Sequence, residues 1–408
     1  MRFWSIQTPV LLFFLSVGCG SAGDKDEVGT PPPLSTPDPV VETVDVDADG
    51  TPAEDDCDDE DPMSTIVATD GDCDGVLTED DCDDSDPIAT VRAEDEDCDG
   101  VPTAQDCDDD DGSMSICWKH LSAGRFYTCG ITLEDETLCW GGDEFGETSP
   151  PDDVVFETLS AGRDHTCGVT LDGEVVCWGR NDHGQGDPPS ETSFTMVTTG
   201  DSHTCGITTE GETLCWGKPT SGATEPPEGA LFTAIDAGRD TTCGVGTIGD
   251  PDGTPGTYCW GVDEYTAGRG VYCGGDGYSY CVGVKTSGSH TCALQFTPVG
   301  LPWSGQYTVC KGLNNYDQTA DPEIGWVYDL DVGGPNTCRL FKESASAPKG
   351  IACTGEGAHG LHDIPDGHEF TSLTMGDRHI CALTTEDKAV CWGLNEDGQA
   401  TQPHAKVD

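Results

Sequence analysis

SAGRDHTCGVTLDGEVVCWGRNDHGQGDPP, residues 160–189, sets two short β-rich runs on either side of Asp172-Gly173 and closes the second on Cys-Trp-Gly. Asp-Gly supplies the backbone angles that a tight hairpin turn needs, so the two runs are expected to pair antiparallel. Cys167 and Cys177 stand at equal distances from Asp172, which brings them roughly opposite each other, within the span of a disulfide. The unit recurs from near Leu121 to the end of the chain with a period near 38 residues, which suits one blade of a β-propeller.

The first cysteine of each copy is Cys129, Cys167, Cys205, Cys243, Cys292, Cys338 and Cys381. The second is Cys139, Cys177, Cys215, Cys259, Cys310, Cys353 and Cys391, so the count is seven blades over residues 118–404. Copies four to six are degenerate: their cysteines lie farther apart, and Cys310-Lys311-Gly312 and Cys353-Thr354-Gly355 replace Cys-Trp-Gly. Cys273 and Cys281 fall in an insertion and are read as a further pair. The expected fold is all-β, a seven-bladed, disulfide-stapled propeller. Closing each short loop is worth about 2–4 kcal/mol in the chain-entropy account. The 54 glycines, 26 prolines and 7% aromatic content agree with many turns and short strands rather than helices.

The unit of residues 162–186 resembles the repeat of the regulator of chromosome condensation family. Gly162, His165, Thr166, Trp178, Gly179, Asn181, Gly184 and Gln185 match it, as do Gly376, His379, Trp392, Gly393, Asn395, Gly398 and Gln399 in the last copy. The resemblance implies the seven-bladed propeller. The paired cysteines depart from that family, and its nuclear exchange role does not carry over to an exported, oxidised and acidic chain. His165, His203, His290 and His379 recur at one repeat position. A residue placed identically in several blades serves the blade, through a buried hydrogen bond, and the recurring tryptophans, such as Trp140 and Trp216, read as packing.

Ahead of these copies lies a second repeat, of 25 residues: DVDADGTPAEDDCDDEDP from Asp45, DGDCDGVLTEDDCDDSDP from Asp70 and DEDCDGVPTAQDCDDDDG from Asp95. Asp45, Asp47 and Asp49 alternate, Gly50 follows, and Asp56 is twelfth from the start; Asp70, Asp72, Asp74 and Asp81 repeat the spacing, as do Asp95, Asp97, Asp99 and Asp106. A calcium ion takes about six to eight oxygens, and alternate side chains on a loop turned by a glycine converge on one point. No helical pattern flanks these loops, which disfavours a sensor that opens a groove.

The repeats instead resemble thrombospondin type 3 repeats, in which calcium replaces a hydrophobic core along an elongated, largely irregular, disulfide-linked stalk. In that family a second carboxylate set also binds metal, a part that Asp58, Asp61, Asp83, Asp86, Asp108 and Asp111 would take. Pairing neighbours in order joins Cys57 to Cys73, Cys82 to Cys98 and Cys107 to Cys117, although sequence alone does not fix the connectivity. An acidic disordered linker is the plainer alternative; the fixed register, glycines and cysteines stand against it.

At the N-terminus Arg2 precedes an apolar Val10 to Val17, too short to span a bilayer, and then Gly18-Cys19. The segment resembles a bacterial lipoprotein signal in which Cys19 becomes the acylated first residue, with Ser16 standing where that motif prefers Leu. The division expected is a signal peptide over residues 1–18, a lipidated Pro/Thr-rich tether over 19–44, the acidic repeats over 45–117 and the propeller. Twenty-three cysteines are too many for a reducing cytosol and resolve as Cys19 plus pairs. The chain is therefore expected to be exported, as an outer-membrane lipoprotein or at the cell surface, touching the membrane through its lipid only.

The net charge of −59 repels phosphate backbones and excludes nucleic acid as a partner. The sequence contains no GxSxG, HExxH or P-loop. The function expected is a non-enzymatic scaffold that binds a protein or glycan, with calcium as its cofactor. The long insertions around Tyr258 to Tyr280 and Phe296 to Tyr316, with Tyr265, Tyr272 and Tyr278, are the expected contact surface. A propeller glycosidase or lyase, or a protein inhibitor, is the alternative.

Overall fold

The computed structural model describes residues 51–403, except 53–54, 59, 61–62, 65, 84, 86–90, 94, 97, 99–106, 108–115, 220–221, 250–252, 254, 262–279, 299–304, 322–324 and 345–346. From Trp118 onward the chain forms seven three-stranded antiparallel sheets, each of three consecutive strands. Blade one is β1 (Trp118–Ala123), β2 (Tyr127–Thr132) and β3 (Thr137–Gly141); blade two is β4 (Phe156–Ala161), β5 (His165–Thr170) and β6 (Val175–Gly179). Blade three is β7 (Phe194–Thr199), β8 (His203–Thr208) and β9 (Thr213–Gly217); blade four is β10 (Ala230–Ala237), β11 (Thr241–Ile248) and β12 (Gly256–Gly261). Blade five is β13 (Tyr280–Thr286), β14 (His290–Thr297) and β15 (Gly305–Gly312); blade six is β16 (Trp326–Gly333), β17 (Asn336–Lys342) and β18 (Gly350–Gly355). Blade seven is β19 (Phe370–Met375), β20 (His379–Thr384) and β21 (Ala389–Gly393).

The hairpin read from the sequence is the second and third strand of each blade, with Cys167 directly opposite Cys177 across β5 and β6. The first strand carries no recurring cysteine and no Trp-Gly mark in the sequence, although β13 holds Cys281. It adds to the free edge of the hairpin and buries a large side chain, Phe156, Phe194, Phe232 or Phe370, against the tryptophan of the third strand. Each first strand touches the first strand of the next blade, and β19 touches β1, so the seven blades form a ring. Among the described residues no sheet mixes strands from the first and last blades. Blades seven and one are joined by side-chain and main-chain hydrogen bonds, among them Ala123 N–H to Thr374 Oγ1 (2.9 Å) and Trp118 N–H to the Asp387 carbonyl (2.8 Å).

A glycine after the first strand sets how closely blades approach. A Cβ on Gly162 would lie 2.6 Å from the Gly200 carbonyl oxygen, and one on Gly376 would lie 2.2 Å from that of Gly124. Both distances are shorter than any real contact, so a side chain there would push neighbouring blades apart.

The disulfides staple second strand to third: Cys129–Cys139, Cys167–Cys177, Cys205–Cys215, Cys243–Cys259, Cys292–Cys310, Cys338–Cys353 and Cys381–Cys391. Cys57–Cys73, Cys82–Cys98 and Cys107–Cys117 join the acidic segment. Cys281 is also oxidised, and Cys273 lies outside the described residues. So many bonds fit an extracellular or otherwise oxidising environment. Among the described residues no helix is long and apolar enough to cross a membrane.

Candidate metal centre and ring interior

The two described junctions of the acidic repeat have the same local structure, 25 residues apart. Asp56 bridges Ile66 as Asp81 bridges Val91, and Val67 N–H reaches the Asp55 carbonyl (3.0 Å) as Arg92 N–H reaches that of Asp80 (2.8 Å). Cys73 and Cys98 share a left-handed backbone, φ 62°. The disulfides Cys57–Cys73 and Cys82–Cys98 therefore fasten the end of one repeat to the start of the next.

Between these junctions Asp70, Asp72 and Asp74 each turn one carboxylate oxygen to a common point, all within 4.8 Å of one another. The loop turns at Gly75 (φ 99°), whose N–H donates to Asp70 Oδ2 (3.0 Å), while Asp74 N–H donates to Asp72 Oδ1 (3.3 Å). Partial burial, with Asp74, Asp81 and Asp70 close by, pushes the Asp72 carboxyl above its ordinary range. Among the described residues Asp56 Oδ2, Asp72 Oδ2 and Asp81 Oδ2 are buried and accept no hydrogen bond. The Asp81 residue is only 5% exposed. A buried carboxylate oxygen without a donor is costly, and a cation is the partner that removes the cost. Hard oxygen donors only, spaced within twice calcium's bond length of about 2.3–2.6 Å, fit that ion. Asp95 is buried at the start of the third repeat. Asp45, Asp47, Asp49, Asp97, Asp99 and Asp106 lie outside the described residues, as do Asp61, Asp86, Asp108 and Asp111. Asp58 and Asp83 accept backbone N–H groups of Glu60 and Ser85 (both 3.2 Å).

Inside the ring the recurring histidines reach across blade boundaries. His165 Nε2 meets Thr204 Oγ1 (2.9 Å), His203 meets Thr242 (2.8 Å), His290 meets Thr337 (2.7 Å) and His379 meets Thr128 (2.8 Å). In blade one Tyr127 takes the same place, its hydroxyl on Thr166 Oγ1 (2.9 Å). Burial lowers the histidines to about 3 for His165 and about 4 for His203, His290 and His379, which keeps all four neutral. Two boundaries lack this clasp. Blade four has Thr241 and blade six Asn336 at the histidine position, and blade seven has Ile380 where a threonine would receive the bond.

The indoles form a second set of ties: Trp140, Trp178, Trp216, Trp260 and Trp392 donate Nε1–H to the carbonyls of Gln399, Glu147, Gln185, Ala223 and Leu361, at 2.9–3.0 Å. In blade six Thr354 replaces the tryptophan and sends its hydroxyl to the Gln318 carbonyl (3.4 Å). A third set lines the first strands. Ser122, Ser160, Thr198 and Thr374 each accept a backbone N–H from the following blade, at 2.9–3.0 Å.

Asp236 and Asp331 take that accepting place at the two boundaries without the histidine clasp, receiving Thr286 N–H (2.6 Å) and Met375 N–H (2.8 Å). Lys285, which cannot accept, stands between them, 3.8 Å from Asp236 and 3.5 Å from Asp331. Burial pushes Asp236 up to about 7, and Asp331 raises it further while Lys285 opposes the shift. Sequence reading missed this triad because each member differs from the small polar residue that the other blades place there.

Of the tyrosines in the insertions, Tyr258 packs on Phe232 (6.2 Å between ring centres) and Tyr280 on Phe296 (5.5 Å). Both serve packing, while Tyr265, Tyr272 and Tyr278 lie outside the described residues.

A model of the regulator of chromosome condensation (RCC1) repeat matches residues 156–185, 195–223 and 370–399, so blades two, three and seven carry RCC1-type repeats. The fold is similar to the ectodomain of the Physcomitrella patens receptor kinase CR4, with a TM-score of 0.54 at 19% identity over 68% of this chain and 74% of that one. It is similar also to the CRINKLY WD40 ectodomain of the Arabidopsis thaliana receptor kinase ACR4, with a TM-score of 0.53 at 19% identity over 69% of this chain and 98% of that one.

Proposed function

We propose that the chain is a non-enzymatic binding scaffold of the bacterial cell surface, in which a calcium-stabilised stalk over residues 45–117 holds out the ring of blades. The observation that carries this reading is the use made of the ring's recurring polar groups. His165, His203, His290 and His379, the five indole N–H groups and the Ser/Thr row all bond to the next or preceding blade. Such a ring is a rigid platform, and its specificity belongs to whatever stands out from it.

The stalk reading rests on the buried, donor-free oxygens of Asp56, Asp72 and Asp81, which calcium would satisfy with the carboxylates of Asp70 and Asp74. Acylation at Cys19 would tie the stalk to a membrane. A role at the cell surface agrees with the disulfides. The plant receptor kinases similar in fold carry that fold as ectodomains, and as a proposal this chain uses it likewise, to meet an external ligand.

A secreted glycosidase or lyase is the second reading, favoured by one observation: Asp236, raised to about 7, sits beside Lys285 in a cavity of about 900 Å3. The test offers the purified, oxidised chain a panel of glycans and peptides and follows retention and turnover together. Stable retention without product supports the scaffold. Turnover that Asp236→Asn abolishes replaces it with the enzyme.

A further inference from the structure

Each first strand carries one β-bulge, and the extra residue it leaves is Lys119, Glu157, Thr195, Thr233, Val282, Tyr328 or Thr371. All seven are exposed. In three blades the residue is a threonine, and Thr195, Thr233 and Thr371 turn their hydroxyls back onto carbonyls of the second strand at 3.2–3.3 Å; the other four blades carry lysine, glutamate, valine or tyrosine there. The tyrosine is that of blade six, 42% exposed, two residues after Trp326, which is 38% exposed. Val327 between them is buried, so both rings stand on the opposite side of β16 from the core.

The two rings are held in place. Trp326 lies against Gly305, where a Cβ would come within 2.6 Å of its Cδ1. Lys349 Nζ sits over the Tyr328 ring, 5.2 Å from its centre. Lys342 faces Trp326 directly across the β16–β17 ladder. Neither Lys342 nor Lys349 has an ion pair among the described residues, in a chain of net charge −59. The nearby Glu369 carboxylate accepts the Lys349 backbone N–H (3.4 Å).

The charge that repels polyanions lies elsewhere. Residues 45–117 contain 29 acidic side chains and one basic, whereas residues 277–316 contain no Asp or Glu. From 280 to 355 six acidic side chains face five basic ones, and Asp329 and Asp331 among the acids bond to blade seven. Exposed flat rings stack on the C–H faces of sugars, and ammonium groups beside them select carboxylated ones.

We propose that Trp326, Tyr328, Lys342 and Lys349 form a binding site for a uronic-acid polysaccharide on blade six. The proposal rests on the scaffold reading and names a ligand class and a place for it. The test is affinity electrophoresis of the full oxidised chain, with calcium, through gels containing polygalacturonate or neutral dextran. Retardation is expected in polygalacturonate alone and is weakened by added salt. Tyr328→Thr restores the residue of blades three, four and seven, and Lys349→Gln removes one cation; each is expected to weaken retention roughly tenfold. Circular dichroism and the melting temperature of both variants should match the parent. Retention in neither gel, equal retention in both, or retention that Tyr328→Thr leaves unchanged overturns the site. Release of sugar fragments in the same gels would instead overturn the non-enzymatic reading and leave the site standing.

Discussion

A histidine buried between two blades has one useful state, the neutral one, in which Nε2 and the facing threonine share a proton. Because burial depresses the folded pKa to about 3 or 4, the unfolded chain binds protons more readily between its own pKa of about 6.5 and those values. The stability these residues contribute is therefore complete above about pH 6.5 and is lost as pH falls toward 4. Urea unfolding across that range should show it, and His203→Ala should flatten the curve. That substitution also leaves Thr242 Oγ1 with the long contact to Cys205 Sγ (3.5 Å) in place of the histidine, at a cost of about 1–3 kcal/mol. Adding Thr242→Val should recover part of the loss, since an apolar pair leaves nothing unsatisfied. The sequence told that these histidines serve the blade. It did not tell that each serves the next blade rather than its own, because the partner threonine stands 39, 47 or 251 residues away.

The legible parts of each blade are the elements carrying chemistry at fixed spacing: the Cys-to-Cys hairpin, its turn and the Trp-Gly ending. First strands such as FETLSA and FTMVTT were invisible because a bulge breaks their two-residue alternation and only two or three of their side chains enter the core. The lengthened strands of blades four to six hid Tyr328 for the same reason. Removing a staple, as in Cys167→Ala with Cys177→Ala, should lower stability by about 2–4 kcal/mol, read from denaturant unfolding.

Lys285 marks the one first strand with a cation in the accepting row. Lys285→Gln leaves Asp236, Asp329 and Asp331 facing one another, and a cost of about 1–3 kcal/mol is expected, discounted for the lysine's contact with solvent. The sign follows from the raised carboxyl of Asp236. Its burial is least costly when protonated, so stability is lost as pH rises toward and through about 7. The variant should therefore suffer more at pH 8 than at pH 5.

Across the whole molecule two kinds of cohesion are joined end to end. The ring holds its shape by burying apolar side chains and by clasping blade to blade, and among the described residues it closes without exchanging a strand between its first and last blades. The acidic repeats have almost no apolar surface to bury. Their 25-residue register was plain in the sequence, and the convergence of Asp70, Asp72 and Asp74 follows from it. What spacing alone did not give is that the twelfth residue, Asp56 or Asp81, is also a β-bridge partner with one oxygen turned inward. Ions at these loops would supply what a hydrophobic core supplies elsewhere.

Equilibrium dialysis of the full chain against calcium, with limited proteolysis at each concentration, tests that claim most directly. The account predicts several ions retained per chain at millimolar calcium, and cleavage between residues 45 and 117 that begins only when a chelator is added while the ring stays intact. A chain that retains no calcium, and whose acidic repeats are cut equally with and without it, would contradict the account.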